Sequence, residues 1–379
     1  MQIRSSAGLY LHIPFCLSKC SYCDFNSYPV LGYQGLISSY TDALLEEVKL
    51  KAGQFSIKTV FAGGGTPTVL PEEELKKVLT GIFNEAEINA GAEFTVEANP
   101  CTISVEKLKI MKNAGVNRLS IGLQTTDDRT LKLLGRLHTY RDFVTNYKKA
   151  REASFKNINI DLIFGVPGQT IKGLKTDLEK IVALNPEHIS IYNLILEPGT
   201  QLEKYVAAGS CKALSDDVQA DMYYIIKDYL EAEGYTHYEI SNFARKGKEC
   251  LHNIIYWKNE DFIGVGAGAS GKIGRKRTEN IEDISKYIVL LKEYKNDILH
   301  EQKISLAEEI AETVFLGLRM LEGLNLAGFK ERFGKDFFIL FKKEYSKLLD
   351  LKLLKEEEGS VKLTRTGLFL SNEVFVEFV

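Results

Sequence analysis

Short runs of β-branched and other apolar residues alternate with longer amphipathic stretches from the start of the chain to about residue 200. Residues 8–13 have the composition of a strand, and Tyr40, Leu44, Leu45 and Val48 then recur at helical spacing. Residues 58–62 read as a second strand that runs into glycines, and Pro71 opens the next helix, as proline at a first-turn position does. Further strands are predicted at 93–97, 118–121, 157–164 and 188–192, with helices at 104–113, 140–153 and 170–184. Six strand–helix steps in this order imply an α/β fold with a parallel sheet, which right-handed crossovers would curl into a full or partial (β/α)6 barrel. In such folds chemistry gathers at the carboxyl ends of the strands, where the polar signatures below fall.

The pattern changes after Cys211. A helix at 215–233 leads to a strand at 235–240 and a glycine-rich stretch at 264–274. From Ser305 the pattern is three helices and a short hairpin, 352–354 with 360–363, that of a small winged-helix-like domain. The expected division is a barrel core at 1–210, an extension at 211–300 and a C-terminal domain at 301–379.

Length and composition narrow the function classes. With 379 residues, 45% hydrophobic and 26% charged, the chain has the make-up of an ordinary globular protein with room for a large core. A net charge of −3 gives no whole-chain attraction for nucleic acid, and none is expected as a partner. No apolar run approaches the roughly 18–20 residues that cross a bilayer. The N-terminal residues lack a signal-peptide pattern, so a cytoplasmic location is expected.

Six cysteines are too few for a disulfide scaffold, yet three fall within eight residues, Cys16-x3-Cys20-x2-Cys23. One short loop with this spacing can wrap a metal centre. Three thiolates serve three irons of a [4Fe–4S] cluster and leave the fourth iron open, a place where S-adenosylmethionine (SAM) can chelate. A zinc site with His12 as fourth ligand, or three unconnected buried cysteines, are the alternatives. Burial is the default for the isolated Cys101 and Cys211. Beyond the second strand, Gly63-Gly64-Gly65-Thr66-Pro67-Thr68 lets backbone approach a small ligand closely. Glu97, at the end of the third strand, can accept ribose hydroxyls. Asp161 is an acid inside an apolar strand and needs a partner, for which Arg136 or a ligand is the candidate.

The stretch Leu9-Tyr10-Leu11-His12-Ile13-Pro14-Phe15-Cys16 with Cys20-Ser21-Tyr22-Cys23 resembles the HemN/HemW family of radical SAM proteins. That family has a coproporphyrinogen III oxidase branch and a heme-chaperone branch. The resemblance implies that Cys16, Cys20 and Cys23 hold the cluster and that Tyr22 lies near the adenine of SAM. It further implies SAM contacts from Tyr10, Gly64, Gly65, Thr66, Glu97, Gln124, Arg136 and Asp161.

Two departures resemble the chaperone branch. Phe25 stands where the oxidase pattern has a fourth cysteine, and only 15 residues precede Cys16. Cys250-Leu251-His252-Asn253-Ile254-Ile255-Tyr256-Trp257 resembles that branch's His-Asn-x-x-Tyr-Trp signature, which is associated with heme. His252 can ligate iron, Tyr256 follows at helical i+4 spacing, Trp257 can pack on a porphyrin, and Cys250 is an alternative thiolate ligand. A satisfied histidine beside a core aromatic cluster is the other reading. Ser270 stands where the family often has histidine.

The resemblance implies a heme chaperone that delivers heme to respiratory apoproteins, with a protein reductant and transient membrane contact. The runner-up is an oxygen-independent coproporphyrinogen III dehydrogenase, and a heme-modifying radical enzyme is third. The C-terminal domain reads as a docking or packing domain rather than a DNA reader.

Overall fold

The structure, a computed structural model, describes residues 5–295 and 299–379. Six strands, β1 (Ser6–Ile13), β2 (Ser56–Gly64), β3 (Glu87–Ala98), β4 (Arg118–Gln124), β5 (Ile158–Phe164) and β6 (His188–Asn193), lie side by side in chain order, all parallel. The six predicted strands are these. β3 begins earlier than expected because its first residues are polar and largely exposed, without the apolar pattern that marks a strand.

Later chain lengthens the same sheet at both edges. Strands β7 (Thr236–Glu239) and β8 (Asn242–Ala244) add antiparallel beside β6. Strand β9 (Phe262–Val265) pairs parallel with β1, and β10 (Ser270–Ile273), β11 (Lys276–Asn280) and β12 (Leu299–Lys303) continue from it antiparallel. The twelve strands run β12-β11-β10-β9-β1-β2-β3-β4-β5-β6-β8-β7, so the sheet is open, with β12 and β7 as its edges.

Helices α1 (Ile37–Ala52), α2 (Glu72–Glu85), α3 (Val105–Asn113), α4 (Asp128–Leu133), α5 (Tyr140–Glu152) and α6 (Ile171–Val182) follow the first five strands. Their starts are written in the sequence: Ser104 and Thr170 accept backbone N–H groups, and Thr139 with Asp142 forms a capping box. The outward strand positions Leu9, Leu11, Val60, Val96, Leu119, Ile121, Ile160 and Ile189 are wholly buried. Many of the inward positions are polar. Paired across neighbouring strands are His12 with Gly63, Glu97 with Ser120, Ser120 with Asn159, Asn159 with His188, and Asp161 with both Gly122 and Ser190. The core thus lies between sheet and helices, and the concave side of the sheet is left for chemistry.

Beyond the sheet, α7 (Gln201–Ala207) and α8 (Asp216–Ala232) precede the β7–β8 hairpin, and α9 (Leu251–Trp257) lies between β8 and β9. Helix α10 (Ile284–Tyr294) packs on α1, and α11 (Leu306–Gly317) follows β12. The C-terminal part holds a three-stranded sheet of β13 (Leu324–Asn325), β14 (Leu354–Glu357) and β15 (Ser360–Leu363), with α12 (Leu326–Phe333), α13 (Phe337–Leu340) and α14 (Lys342–Asp350) beside it. The first hairpin strand starts two residues later than predicted, because Lys352 takes a left-handed backbone (φ 58°) that still belongs to the turn. Among the described residues no helix is long and apolar enough to cross a membrane.

A buried carboxylate ties the glycine-rich stretch to this frame. Glu47 of α1 accepts from Gly266 N (2.8 Å), Tyr287 Oη (2.5 Å) and Asn280 Nδ2 (2.6 Å), and pairs with Lys51. Tyr40, about two helical turns before Glu47, donates to His12 O (2.8 Å) and accepts from Ala267 N (3.0 Å). The stretch is therefore clamped against the carboxyl end of β1, where the cysteine loop begins. Glu47→Leu strands these donors in the core and is expected to cost about 3 kcal/mol or more, read as a lowered denaturant midpoint. A midpoint equal to that of the parent contradicts the clamp.

Candidate functional site

The cysteine loop is carried at the carboxyl end of β1 and bound by backbone to the end of β2. Gly65 N donates to Ile13 O and Thr66 N to Phe15 O, each at 2.8 Å. A Cβ on Gly65 would lie 2.6 Å from Phe15 O, and one on Gly64 (φ 102°) 2.4 Å from the His12 ring, so both positions require glycine. Cys16 Sγ then stands 3.6 Å from Thr66 Oγ1. Further along, Ser21 N donates to Leu134 O (3.0 Å), Ser21 Oγ to Leu133 O (2.7 Å), and Leu202 N to Ser21 O (2.7 Å). The first two bonds hold the loop against the turn that carries Arg136, and the third holds it against the start of α7.

Cys16, Cys20 and Cys23 are half-buried and line one cavity of about 420 Å³ with Tyr22, Gly64, Gly65, Thr66, Glu97, Gln124, Arg136 and Asp161. Eleven of the twelve expected cluster and SAM positions thus meet at the carboxyl ends of β1–β5. Tyr10 does not line the cavity; its hydroxyl bonds His12 Nδ1 (3.1 Å), and its ring faces Phe61 and His252 inside the sheet. Arg136 does not pair with Asp161. Its Nη2 donates to Gly122 O (2.7 Å), Nη1 to Cys20 Sγ (3.5 Å), and its buried Nε has no protein partner. Asp161 is satisfied instead by Ser120 Oγ (3.0 Å) and Asn159 Nδ2 (2.8 Å), neighbours that strand register supplies.

The wall chemistry suits a cationic nucleotide-like ligand. Among the described residues Glu97 accepts from Gly64 N (3.2 Å), and burial, with Asp161 nearby, pushes its carboxyl up to about 8. Gln124 is held at φ 74°, and Gly122 leaves room for the Gln124 and Arg136 side chains. His12, the fourth ligand of the zinc alternative, does not line this cavity; its Nε2 bonds Asn26 O (2.9 Å) and its Nδ1 bonds the Tyr10 hydroxyl. Among the described residues no three His, Cys, Asp or Glu side chains are tight enough to hold one metal ion, and thiolates that serve separate irons of a cluster need not be.

The heme candidates lie elsewhere. Helix α9 is seated inside the sheet, with His252 1% exposed. His252 Nδ1 bonds Thr59 Oγ1 and Nε2 bonds Tyr256 Oη, each at 2.8 Å, and burial lowers its pKa to about 3. The i+4 spacing did place His252 and Tyr256 together, on a face turned inward. Trp257 packs with Tyr238 and Met320 under the Arg319 guanidinium (4.2 Å from its ring). Cys250 is buried, its Sγ 3.6 Å from Glu93 Oε1, and burial pushes its thiol up to about 12. Of the other cysteines, Cys101 is exposed and Cys211 half-buried. Burial fails for Cys101 because it sits in the turn Pro100–Thr102, pinned by Asn99, on the outer surface.

Several residues on which the site rests escaped the sequence reading. Glu93 accepts from Leu251 N and His252 N (both 3.1 Å) and so anchors α9. From there hydrogen bonds run in one direction. Cys250 N donates to Tyr238 Oη (3.2 Å), Tyr238 to His188 Nε2 (2.8 Å), His188 Nδ1 to Asn159 Oδ1 (2.6 Å), and Asn159 Nδ2 to Asp161 (2.8 Å). Burial holds His188 well below its usual pKa, which keeps it neutral and fits this order. Only Glu93, an acid in an apolar run, carried a signal of the kind that marked Asp161.

A partial barrel of parallel strands with a three-cysteine loop over its carboxyl end defines a radical SAM protein. Residues 10–181 match the Radical SAM superfamily, and residues 304–370 match the HemN C-terminal domain. The chain is 42% identical to the heme chaperone HemW of Bacillus subtilis (strain 168), over 98% of each chain. It is 38% identical to the HemW of Lactococcus lactis, over 100% of this chain and 98% of that one. The chain belongs to the HemW family. Its fold matches that of the coproporphyrinogen III oxidase HemN from Escherichia coli with a TM-score of 0.85, at 24% identity, over 99% of this chain and 90% of that one.

The raised carboxyl of Glu97 has a sign. An ordinary glutamate titrates near 4.3, so the folded chain binds this proton more tightly than the unfolded chain. The resulting stability is present at low pH and is lost as pH rises toward about 8. Glu97→Gln is expected to gain thermal stability relative to the parent between about pH 5 and about pH 8.5. Parallel melting curves across that range contradict the assignment.

Proposed function

We propose that this chain is a heme chaperone that carries a [4Fe–4S] cluster on Cys16, Cys20 and Cys23, binds SAM in the adjoining cavity, and passes heme to respiratory apoproteins. The observation that carries this reading is the match to relatives named heme chaperones along the whole chain, C-terminal part included. Cys16, Cys20 and Cys23 would hold such a cluster, which would supply the electron for reductive chemistry at the SAM sulfonium. The backbone of Gly64, Gly65 and Thr66 is suited to the methionine end of SAM, Glu97 to the ribose, Tyr22 to the adenine, and Arg136 adds positive charge beside Cys20. A protein reductant and a cytoplasmic setting belong to the same reading.

The cavity mouth supports an apolar, planar cargo. Phe25, Leu137 and Ile195 stand at its rim and are 65%, 62% and 61% exposed. Phe25 occupies the position that the oxidase pattern gives to cysteine. His252, Tyr256 and Trp257 are heme contacts only in a state in which α9 has left its seat, because both imidazole nitrogens are otherwise engaged.

Two measurements test this. Anaerobic incubation of the reconstituted protein with coproporphyrinogen III, SAM and a reductant is expected to give no sustained decarboxylation; sustained turnover favours the dehydrogenase. In heme titrations His252→Ala is expected to weaken binding, and heme is expected to speed amide exchange across 251–257 in the parent. Unchanged heme affinity in His252→Ala defeats that ligand.

A further inference from the structure

His188 and Asn159 are buried on the inner face of the sheet and do not line the cavity, so neither touches a ligand bound there. Their hydrogen bonds nevertheless have a single sense. Tyr238 Oη accepts from Cys250 N, a group that can only donate, so the phenolic proton goes to His188 Nε2. The imidazole proton then stands on Nδ1 and goes to Asn159 Oδ1, which also accepts from Ser190 Oγ (3.1 Å). The Asn159 amide is thereby oriented. Its Nδ2 donates to Ser120 Oγ (2.7 Å) and to Asp161 Oδ1 (2.8 Å), and Ser120 Oγ donates in turn to Asp161 Oδ2 (3.0 Å). Each Asp161 oxygen thus receives one donor from within the sheet and keeps lone-pair capacity for the cavity that it lines.

Bonds that only satisfied buried polar groups would have no need to end on this carboxylate. Asp161 and Glu97 face the same cavity, and of two neighbouring carboxylates the one with more donors keeps its charge. Among the described residues Asp161 has Ser120 and Asn159, whereas Glu97 has the Gly64 amide. We infer that Asn159 and His188 are positioning residues for SAM, which aim Asp161 as a fixed acceptor at the cationic nucleoside. SAM binding in this cavity is the reading proposed above, and the role of the two residues rests on it. Asn159 acts directly on Asp161, and His188 acts through Asn159. A donor at Nδ1 polarises the Asn159 amide and strengthens the bond that the amide makes to Asp161.

The test is SAM affinity, measured by anaerobic equilibrium dialysis of the cluster-reconstituted protein, with iron content and melting midpoint read beside it. Asn159→Asp sets an acceptor against Asp161 and is expected to weaken SAM binding by about tenfold. His188→Gln keeps an acceptor toward Tyr238 without a donor toward Asn159, and is expected to weaken it by about fivefold. His188→Asn keeps the donor at the Nδ1 position and loses the acceptor; its affinity is expected to stay within about twofold of the parent, although both His188 variants melt earlier. A separate readout needs no SAM: long-range proton–nitrogen spectra of the histidine-labelled parent are expected to show His188 with its proton on Nδ1. Parent affinity in Asn159→Asp, equal affinities in the two His188 variants, or a proton on Nε2 overturns the inference while the SAM reading stands. A parent that binds no SAM overturns both.

Discussion

Two backbone hydrogen bonds, Gly65 N to Ile13 O and Thr66 N to Phe15 O, make the cysteine loop and the glycine loop one object. They form only because β1 and β2 approach at their carboxyl ends more closely than any Cβ allows. Every other feature of the site is placed relative to that seam. The thiols hang on one side, Thr66 Oγ1 touches Cys16 from the other, and Glu97 reaches the Gly64 amide from the next strand. Below the seam, His12 and Asn26 pass the constraint on to the clamped stretch 264–268, through Asn26 Nδ2 to Ala267 O (3.0 Å).

Much of this was legible in the amino-acid sequence, for identifiable reasons. The strands were readable because their outward residues form near-continuous apolar runs, the mark of a parallel sheet covered by helices. The cavity residues were legible chiefly through the resemblance of their motifs to those of the family; Gly64, Glu97 and Gln124 also stand at or next to strand ends, which the fold brings together. What escaped depended on which strand lies next to which. Asp161 takes Ser120 and Asn159 rather than Arg136 because register sets them beside it, and register is not written in any local pattern. The face of α9 that holds His252 and Tyr256 was readable from spacing, but not that it turns inward onto Phe61 and Thr59.

The inner face of the sheet is costly to build. Arg118, Glu93, His188 and Asn159 are all buried there, and polar groups in such a place destabilise unless bonded. His188 and Asn159 are bonded to each other in the directed series that runs from the amide of Cys250 to Asp161, and Glu93 is bonded to the first amides of α9. One end of that series is the segment that resembles a heme signature, and the other is a wall of the cavity beside the thiols. A satisfied network of this kind rigidifies the interior, and any event that lifts α9 leaves Tyr238 and Glu93 to find new partners. This is the physical link between the two regions of the molecule that carry candidate chemistry.

The shared site of thiols and cavity is tested most directly by electron paramagnetic resonance on the anaerobically reconstituted, reduced protein with and without SAM. A cluster that Cys16, Cys20 and Cys23 would hold beside this cavity is expected to show a spectrum that changes when SAM is added and that is missing in Cys20→Ser. A spectrum indifferent to SAM, or a protein that takes up zinc in place of iron and sulfide, contradicts it.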